Sequence, residues 1–229
     1  MRITERMHAL VPALSGEQCE QFQIYYERLI DWNSRMNLTA ITDPEDVATK
    51  HFLDSLAAMP YLSAGAKCID VGTGAGFPGV PLLIARPDLS VTLLDSLNKR
   101  LVFLDALLEE LGLRKQTGLV HMRAEDAGRD QKYREQYDFA LSRAVAGLSV
   151  LMELTVPFLK VGGTSICYKG EPKEEIETAA NAADKLHSSI SCISVPSQYG
   201  IRTLVMIKKE QRTAAAYPRK AGTPAKKPL

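Results

Sequence analysis

Three closely spaced glycines and one carboxylate carry the clearest chemical signal in this 229-residue sequence. Gly72, Gly74 and Gly76 occupy alternate positions directly after a short apolar run that includes Asp70, and apolar residues resume at Val80. Glycine lets the backbone turn sharply and lets its amides approach a ligand without a Cβ in the way. A plain tight turn between strand and helix is the alternative, but one or two glycines would serve it. The pattern therefore predicts the ligand-binding end of a Rossmann-type unit.

Two adenosine cofactors fit this turn. Asp95 follows about 20 positions later, where a carboxylate can accept both ribose hydroxyls of NAD or of S-adenosylmethionine. The G-x-G-x-x-G match at Gly74, Gly76 and Gly79 is a weak signal and falls late relative to the strand. A carboxylate at Asp70, facing the ligand, would repel a pyrophosphate and attract the ammonium of a methionine moiety. The sequence also lacks a second domain for a hydride acceptor, so these residues favour S-adenosylmethionine.

A second polar group follows the third predicted strand and reads Arg123-Ala124-Glu125-Asp126. A backbone amide or an acid at this place can read the ring nitrogens of adenine by hydrogen bonds. Taken alone, the same charges would fit a solvated loop.

Alternating short apolar runs and amphipathic stretches must position these groups. The runs predict seven strands, at 68–71, 91–94, 119–121, 137–141, 165–168, 190–195 and 202–207. Helices are predicted from position 16 to 36, after the cap at 42–45, and at 97–111, 148–159 and 174–186. This order is typical of a doubly wound parallel α/β sheet. We predict an N-terminal helical extension (1–62) packed on the core, a Rossmann-like domain (63–209) and a C-terminal tail (210–229).

Charge is segregated along the chain although the net charge is only +1. From Lys208 onward seven basic residues stand against Glu210 alone, which leaves +6 on the tail and −5 on the remainder. A polyanion would be met by this local feature, whereas a tail kept for solubility is the competing view. With prolines among its lysines, the tail is predicted to be mobile unless bound.

Several classes of protein are disfavoured by what the sequence lacks. There is no apolar run of membrane-spanning length and no signal-peptide pattern at the N-terminus. The four cysteines lie far apart, without the paired spacing of a zinc or redox site. We expect a cytoplasmic monomer that uses no metal ion.

Motifs spread over nearly the whole chain resemble one family. They are WNSRMNLTAIT at 32–42, KHFLDSL at 50–56, DVGTGAGFPGVPL at 70–82, LLDSLNKRLVFL at 93–104, RAED at 123–126, SRAVAGL at 142–148 and YPRKAGTPAKKPL at 217–229. Together they resemble the ribosomal RNA small subunit methyltransferase G family, also called glucose-inhibited division protein B. The resemblance implies the class I S-adenosylmethionine-dependent methyltransferase fold. It also implies transfer of a methyl group to N7 of a guanine in a 16S rRNA loop near the decoding centre, with S-adenosylhomocysteine as product.

The resemblance also implies roles for individual residues. Carried over by position, the cofactor contacts are Gly72 and Phe77 in the turn, Ala124 and Glu125 after the third strand, and Arg143 after the fourth. Asp70 and Asp95 match the general class I acidic positions, and Gly74 and Gly76 complete the expected cofactor contacts of the turn. Arg143 is also the expected catalytic residue, because a planar guanidinium can orient a guanine or a phosphate; a structural salt bridge is the alternative. The expected RNA contacts in the tail are Arg212, Tyr217, Arg219, Lys220, Lys226 and Lys227.

Other hypotheses remain open from the sequence. His51 and Asp54 form either a helix-stabilising pair or part of the site. Phe77 and Tyr168 either stack on an extruded base or simply pack. A small-molecule methyltransferase is a second enzyme hypothesis, and a non-catalytic RNA-binding assembly factor that keeps the fold is the hypothesis from another class.

Overall fold

A single mixed β-sheet of seven strands forms the centre of the structure, a computed structural model that describes residues 2–197 and 199–229. The strand order is β3-β2-β1-β4-β5-β7-β6. Their bounds are β1 Lys67–Val71, β2 Ser90–Asp95, β3 Thr117–His121, β4 Tyr137–Arg143, β5 Leu159–Lys169, β6 Ser188–Val195 and β7 Arg202–Lys209. β1 to β5 run parallel, whereas β7 is antiparallel to both β5 and β6. The sheet is therefore mixed and not wholly parallel as predicted.

The parallel strands bring the predicted site residues to one edge. Val71 pairs in register with Leu94, so the glycine turn begins beside the end of β2, where Asp95 lies. β4 is the other neighbour of β1, and it ends at Arg143. Carboxyl ends of neighbouring parallel strands meet at one edge, which is where open α/β sheets bind ligands.

The helices lie in an N-terminal layer and around the sheet. Their bounds are α1 Ile3–Leu10, α2 Gly16–Met36, α3 Pro44–Asp46, a π-helical segment Val47–Leu53, α4 Asp54–Leu56, α5 Gly79–Ala85, α6 Asn98–Glu110, α7 Ala124–Ala127, α8 Leu148–Thr155, α9 Lys173–Thr178, α10 Ala180–Lys185 and α11 Thr223–Lys226. Short 3₁₀ turns occupy Met59–Tyr61, Arg114–Gln116 and Val156–Phe158. No helix among the described residues is long and apolar enough to cross a membrane.

Two predicted helices differ from the structure. The helix predicted at 148–159 ends at Thr155, because Pro157 has no N–H to donate and the chain tightens into a 3₁₀ turn before β5. The helix predicted at 174–186 is divided between α9 and α10. At the division, the Thr178 hydroxyl donates to the carbonyls of Glu174 and Glu175, a local bond that competes with regular helix geometry.

The N-terminal helices pack onto the sheet layer through α2 and the π-helical segment. Ser15 and Gln18 form the expected capping box, and the Gln18 side-chain amide also donates to the carbonyl of Ile84 at 2.8 Å. Phe22 and Phe52 are fully buried, and their rings lie 4.9 Å apart within the largest apolar cluster. Burial of such aromatic faces is the main source of stability for an extension too short to fold alone.

The C-terminal segment, residues 210–229, is folded against the core, so the prediction of a mobile tail is wrong. Arg134 donates to the carbonyls of Thr213 and Tyr217 at 2.7 Å each, and Arg129 donates to the carbonyl of Pro218 at 2.7 Å. Pro218 and Pro224 are buried. Apolar burial and charge-assisted bonds to its backbone thus order a segment whose composition alone suggests mobility.

Candidate functional site

The glycine turn between β1 and α5 follows a path that side chains would obstruct. Gly72 has φ +73° and Gly76 φ +102°, in the left-handed region that favours glycine. A Cβ at Gly76 would lie 2.7 Å from the Tyr25 hydroxyl and 2.8 Å from Cγ2 of Val80. The amide of Gly72 donates to the carbonyl of Leu94 at 2.9 Å, which fixes the turn to β2.

Asp70 closes this turn from inside and is fully buried. Its Oδ2 accepts from the Thr73 hydroxyl at 2.7 Å and from the Gly79 amide at 2.9 Å. Its Oδ1 is buried without a hydrogen-bond partner among the described residues. Burial raises the pKa of Asp70 to about 6, although the bonds from Thr73 and Gly79 lower it. The carboxylate therefore faces the turn, contrary to the expectation that it faces a ligand, and its contact with a cofactor stays a prediction.

A cavity of about 340 Å³, the Gly72 cavity, opens beside the turn. Four predicted cofactor residues line it together: Gly72, Asp95, Ala124 and Glu125. Gly74, Gly76, Phe77 and Asp70 shape the turn behind it, and Arg143 lies at a second cavity. The sequence missed Pro224 and Ala225, which also line the Gly72 cavity, because the segment that carries them was expected to be mobile.

Asp95 presents a fixed, almost fully buried carboxylate to the Gly72 cavity. Its Oδ1 accepts from the Leu97 amide at 2.9 Å. Its Oδ2 accepts from the Gly74 amide at 3.0 Å and from Nη1 of Arg100 at 3.1 Å. The second turn glycine, Gly74, thus donates to the carboxylate that the sequence assigns to the ribose.

Glu125 is the second buried carboxylate of the Gly72 cavity, and only 3% of the residue is exposed. Its Oε1 accepts from the Gly222 amide at 2.8 Å and from Nη2 of Arg123 at 3.2 Å. Burial raises the pKa of Glu125, but the bonds from Gly222 and Arg123 outweigh it and hold the pKa below its ordinary value. The group is therefore an ionised acceptor.

Arg143 stands at the end of β4 against a second cavity of about 420 Å³, the Arg143 cavity. Its Nη1 donates to the carbonyl of Lys50 and to Oδ2 of Asp54, both at 3.1 Å, and its Nη2 lies 3.1 Å from Nδ1 of His51. Its Cζ lies 4.8 Å from the centre of the Phe77 ring, within cation–π distance. Arg143 therefore binds the N-terminal helices, whichever role it has in chemistry.

His51 is held in one neutral tautomer. A guanidinium can only donate, so Nδ1 of His51 accepts from Arg143, and the proton lies on Nε2, which donates to the Thr39 hydroxyl at 2.8 Å. Burial and the nearby Arg143 charge lower the pKa of His51 to about 4. Asp54 accepts also from the Tyr199 hydroxyl at 3.0 Å and pairs with Arg202 at 3.3 Å. His51 and Asp54 thus meet through Arg143 and not as a simple helix pair.

The two candidate stacking aromatics are packed. Phe77 is buried, and its ring stacks on His51 at 4.6 Å and on Tyr25 at 5.3 Å. Tyr168 is also buried and donates its hydroxyl to the carbonyl of Ser55 at 2.6 Å, although it lines the Arg143 cavity.

The Gly72 and Arg143 cavities share Ala144, which directly follows β4. Ala144 has φ +56°, an unusual value for a residue with a side chain. A group bound in one cavity would therefore lie next to a group bound in the other.

Comparison with known proteins identifies the family. Residues 18–205 match the family model described as rRNA small subunit methyltransferase G. The chain belongs to the rRNA small subunit methyltransferase G family. A protein of that name from Alkaliphilus metalliredigens is 48% identical over 94% of this chain and 92% of its own length. Another from Halalkalibacterium halodurans is 47% identical over the whole of both chains.

Solved structures of lower similarity share the fold. A putative S-adenosyl-L-methionine-dependent methyltransferase from Methanococcus maripaludis gives a TM-score of 0.56 at 16% identity, covering 82% of this chain and 94% of that one. An S-adenosylmethionine-dependent O-methyltransferase from Thermotoga maritima gives 0.54 at 16% identity, covering 81% and 73%. The predicted class I methyltransferase fold with N-terminal helices is confirmed.

The predicted RNA-contacting residues of this family member fall into two groups. Arg212, Lys220, Lys226 and Lys227 are exposed, and their contact with RNA stays a prediction. Arg219 pairs with the buried Glu153, and Tyr217 is half-buried against an apolar cluster. The structure thus gives these two a packing role that the sequence pattern did not indicate.

We expect Asp70→Asn to remove a pH-dependent destabilisation. The raised pKa of about 6, against an ordinary 3.8, corresponds to about 3 kcal/mol. Because the folded state binds the proton of Asp70 more tightly than the unfolded state does, the protonated carboxyl stabilises the fold. This stabilisation is complete below pH 3.8 and is lost as the pH rises through 6. Urea unfolding measures this effect. Between pH 4 and pH 7.5, the free energy of unfolding of the variant should rise relative to that of the parent by up to about 3 kcal/mol.

Asp88→Asn is the matched control for this measurement. The bond from Arg86 lowers the pKa of the exposed Asp88, so the stability that this carboxylate contributes is already present above its ordinary pKa of 3.8 and is lost only at more acidic pH. The stability of Asp88→Asn relative to the parent should therefore change little between pH 4 and pH 7.5. Equal pH dependence of the parent and Asp70→Asn would contradict the assignment of Asp70 as a buried acid.

Proposed function

We propose that this chain transfers a methyl group from S-adenosylmethionine to N7 of a guanine in 16S rRNA. The observation that carries the proposal is the pair of cavities that meet at Ala144, one lined by the glycine turn and two fixed carboxylates, the other by Arg143 and further cations. The family membership supports a methyltransferase acting on the rRNA of the small subunit. The cytoplasm, where bacterial ribosomes are found, is the proposed compartment, and a monomer is the proposed state.

The Gly72 cavity suits the adenosine part of the cofactor. Asp95 is held by three donors, so its carboxylate is oriented before any ligand binds and can accept from the ribose hydroxyls. Glu125 is ionised, and both of its bonds fall on Oε1. Its Oε2 is available to accept from the adenine amino group, while the Ala124 backbone borders the same cavity.

The bound cofactor supplies an electrophilic methyl group on a sulfonium. N7 of guanine carries an in-plane lone pair, so a bond from this nitrogen to the methyl carbon forms as the carbon–sulfur bond breaks, and the positive charge passes to the guanine. No base must remove a proton from N7. This agrees with His51, a neutral imidazole whose two nitrogens are already hydrogen-bonded. The task left to the protein is positioning, which is worth several powers of ten in rate.

The Arg143 cavity is suited to an RNA nucleotide. Lys50, Lys169 and Arg202 line it together with Arg143 and can donate to phosphate, although each also pairs with a carboxylate, Asp46, Glu175 or Asp54. Arg143 makes three hydrogen bonds to protein groups, and a guanidinium has five N–H donors. The remaining donors can orient a guanine edge or a phosphate at Ala144, beside the Gly72 cavity.

Methyl transfer from labelled cofactor to rRNA tests the proposal. Small ribosomal subunits and naked 16S rRNA, each from cells that lack the enzyme, should yield 7-methylguanosine at one position on digestion and mass spectrometry. Binding of rRNA without transfer would favour the non-catalytic assembly factor, and label in a small metabolite would favour a different methyltransferase.

Asp95→Asn should weaken binding of S-adenosylhomocysteine by about 10- to 100-fold, because an amide forms weaker bonds to ribose than a carboxylate does. The isosteric change keeps an acceptor for the Gly74 amide, so the fold should persist. Titration calorimetry of the two proteins measures the effect. Asp88→Asn is the control and should bind like the parent; equal affinity in Asp95→Asn would remove Asp95 from the cofactor site.

Arg143→Lys should lower kcat for methyl transfer by about 10- to 100-fold, because a point charge cannot replace the planar fork that orients the base. It keeps a cation beside Asp54, so the melting temperature should change little. Arg143→Ala should lose transfer and also stability, since His51 and the Lys50 carbonyl lose their donor. Full activity of Arg143→Lys would make Arg143 purely structural. Arg86→Lys, at a surface pair, is the control for a change of the same kind.

A further inference from the structure

The C-terminal segment, residues 210–229, reaches the Gly72 cavity. Pro224 and Ala225 line the cavity beside Glu125. The family model ends at residue 205, before this segment begins. The relative from Halalkalibacterium halodurans nevertheless aligns with the chain over its whole length. The segment therefore supplies part of a cavity whose other walls include the sheet edge and α8.

An ion pair fastens the segment to α8. The fully buried carboxylate of Glu153 accepts from the Arg219 backbone amide at 2.7 Å, from its Nε at 2.9 and 3.1 Å, and from its Nη2 at 2.6 Å. Val150 and Leu154, on the same helix, line the Gly72 cavity. One short helix thus carries both a wall of the cavity and the attachment point of the segment.

A second contact joins the segment directly to a predicted adenine-binding residue. Gly222 adopts φ +80°, and its amide donates to Oε1 of Glu125 at 2.8 Å. This bond fixes the orientation of the carboxylate and leaves Oε2 as the oxygen without a protein donor in the described part of the chain. Three residues along, Ala225 borders the same space.

We propose that residues 218–225 form a fixed wall of the S-adenosylmethionine pocket, held by the Arg219–Glu153 pair and oriented toward the adenine through Gly222 and Glu125. Arg219 is then a positioning residue for the cofactor and not an RNA contact. The inference rests on the proposed function, since it assigns the Gly72 cavity to the cofactor.

Pre-organisation gives the wall its effect on affinity. A loose chain end would have to be ordered when the cofactor binds, and each ordered residue would reduce the binding free energy. The Arg219–Glu153 pair and the bonds from Arg129 and Arg134 order this end in advance. Loss of the pair should therefore weaken cofactor binding even where no atom of Arg219 lines the cavity.

A steric test separates the wall from its surroundings. Ala225 and Ala215 are both exposed, but only Ala225 lines the Gly72 cavity, and Ala215 lies outside residues 218–225. In the full-length chain, Ala225→Trp should weaken S-adenosylhomocysteine binding by about 10-fold or more, whereas Ala215→Trp should bind like the parent. Both should keep the ligand-free melting temperature of the parent. Equal binding by the two tryptophan variants would overturn the wall.

A second set of variants tests the ion pair. Glu153→Met with Arg219→Met removes both charges, and such a replacement of a buried pair is often neutral for stability. We expect about 10-fold weaker S-adenosylhomocysteine binding, and a KM for S-adenosylmethionine that rises more than kcat falls. Arg219→Lys keeps a cation beside Glu153, so its affinity for S-adenosylhomocysteine should lie between that of the double variant and that of the parent. Mere loss of folded enzyme would lower kcat and leave KM unchanged, so that result, or unaltered affinity in the double variant, overturns the positioning role.

The parent protein separates failure of this inference from failure of the proposed function. If the parent binds S-adenosylhomocysteine and both sets of variants bind equally well, the wall is wrong and the methyltransferase proposal stands. If the parent itself shows no binding at high micromolar ligand in calorimetry, the cofactor assignment of the Gly72 cavity fails, and the wall fails with it.

Discussion

A guanidinium at the end of β4 joins the N-terminal helices to the sheet, and the second cavity depends on it. Arg143 is enclosed by a carbonyl, a carboxylate and an imidazole from one continuous helical stretch, with an aromatic face of the glycine turn beneath it. Removing a partner from such a buried group costs several kcal/mol, because the remaining charge is left without solvent. The position of the helices and the shape of the Arg143 cavity are therefore set by the same contacts.

Buried carboxylates lie in and beside the Gly72 cavity, and they differ in which part of the chain donates hydrogen bonds to them. Asp95 is held by amides of the glycine turn and of the chain that follows β2, which are close in sequence or register. Glu125 and Glu153 are held by the far end of the chain. Arg219 against Glu153 and Lys209 against Glu135 pair cations from the C-terminal end with carboxylates of the core. The cations of residues 208–229 that remain exposed are Lys208, Arg212, Lys220, Lys226 and Lys227, and their contact with RNA stays a prediction.

The parts of the site that sequence predicts well are those fixed by local geometry. The glycine turn, Asp95 and the strands around them follow from alternating glycines, apolar runs and spacing, and the structure brings Gly72, Asp95, Ala124 and Glu125 to one cavity. The inward direction of Asp70 was not predicted, because it depends on the Thr73 hydroxyl taking part in the turn. The folded C-terminal segment was not predicted either. Its prolines and lysines indicate mobility, and the arginines that bond its carbonyls, Arg129 and Arg134, come far earlier in the chain.

The proposed wall at residues 218–225 has a consequence for the order in which the site forms during synthesis. Translation releases a chain from its N-terminus onward, so the glycine turn and Asp95 leave the ribosome long before Gly222 and Pro224 do. On this proposal, a nascent chain that has assembled the sheet still lacks one wall of the pocket until residues 218–225 have left the ribosome. A chain cut before residue 218 would then be expected to keep the sheet and to bind S-adenosylmethionine more weakly than the full-length protein.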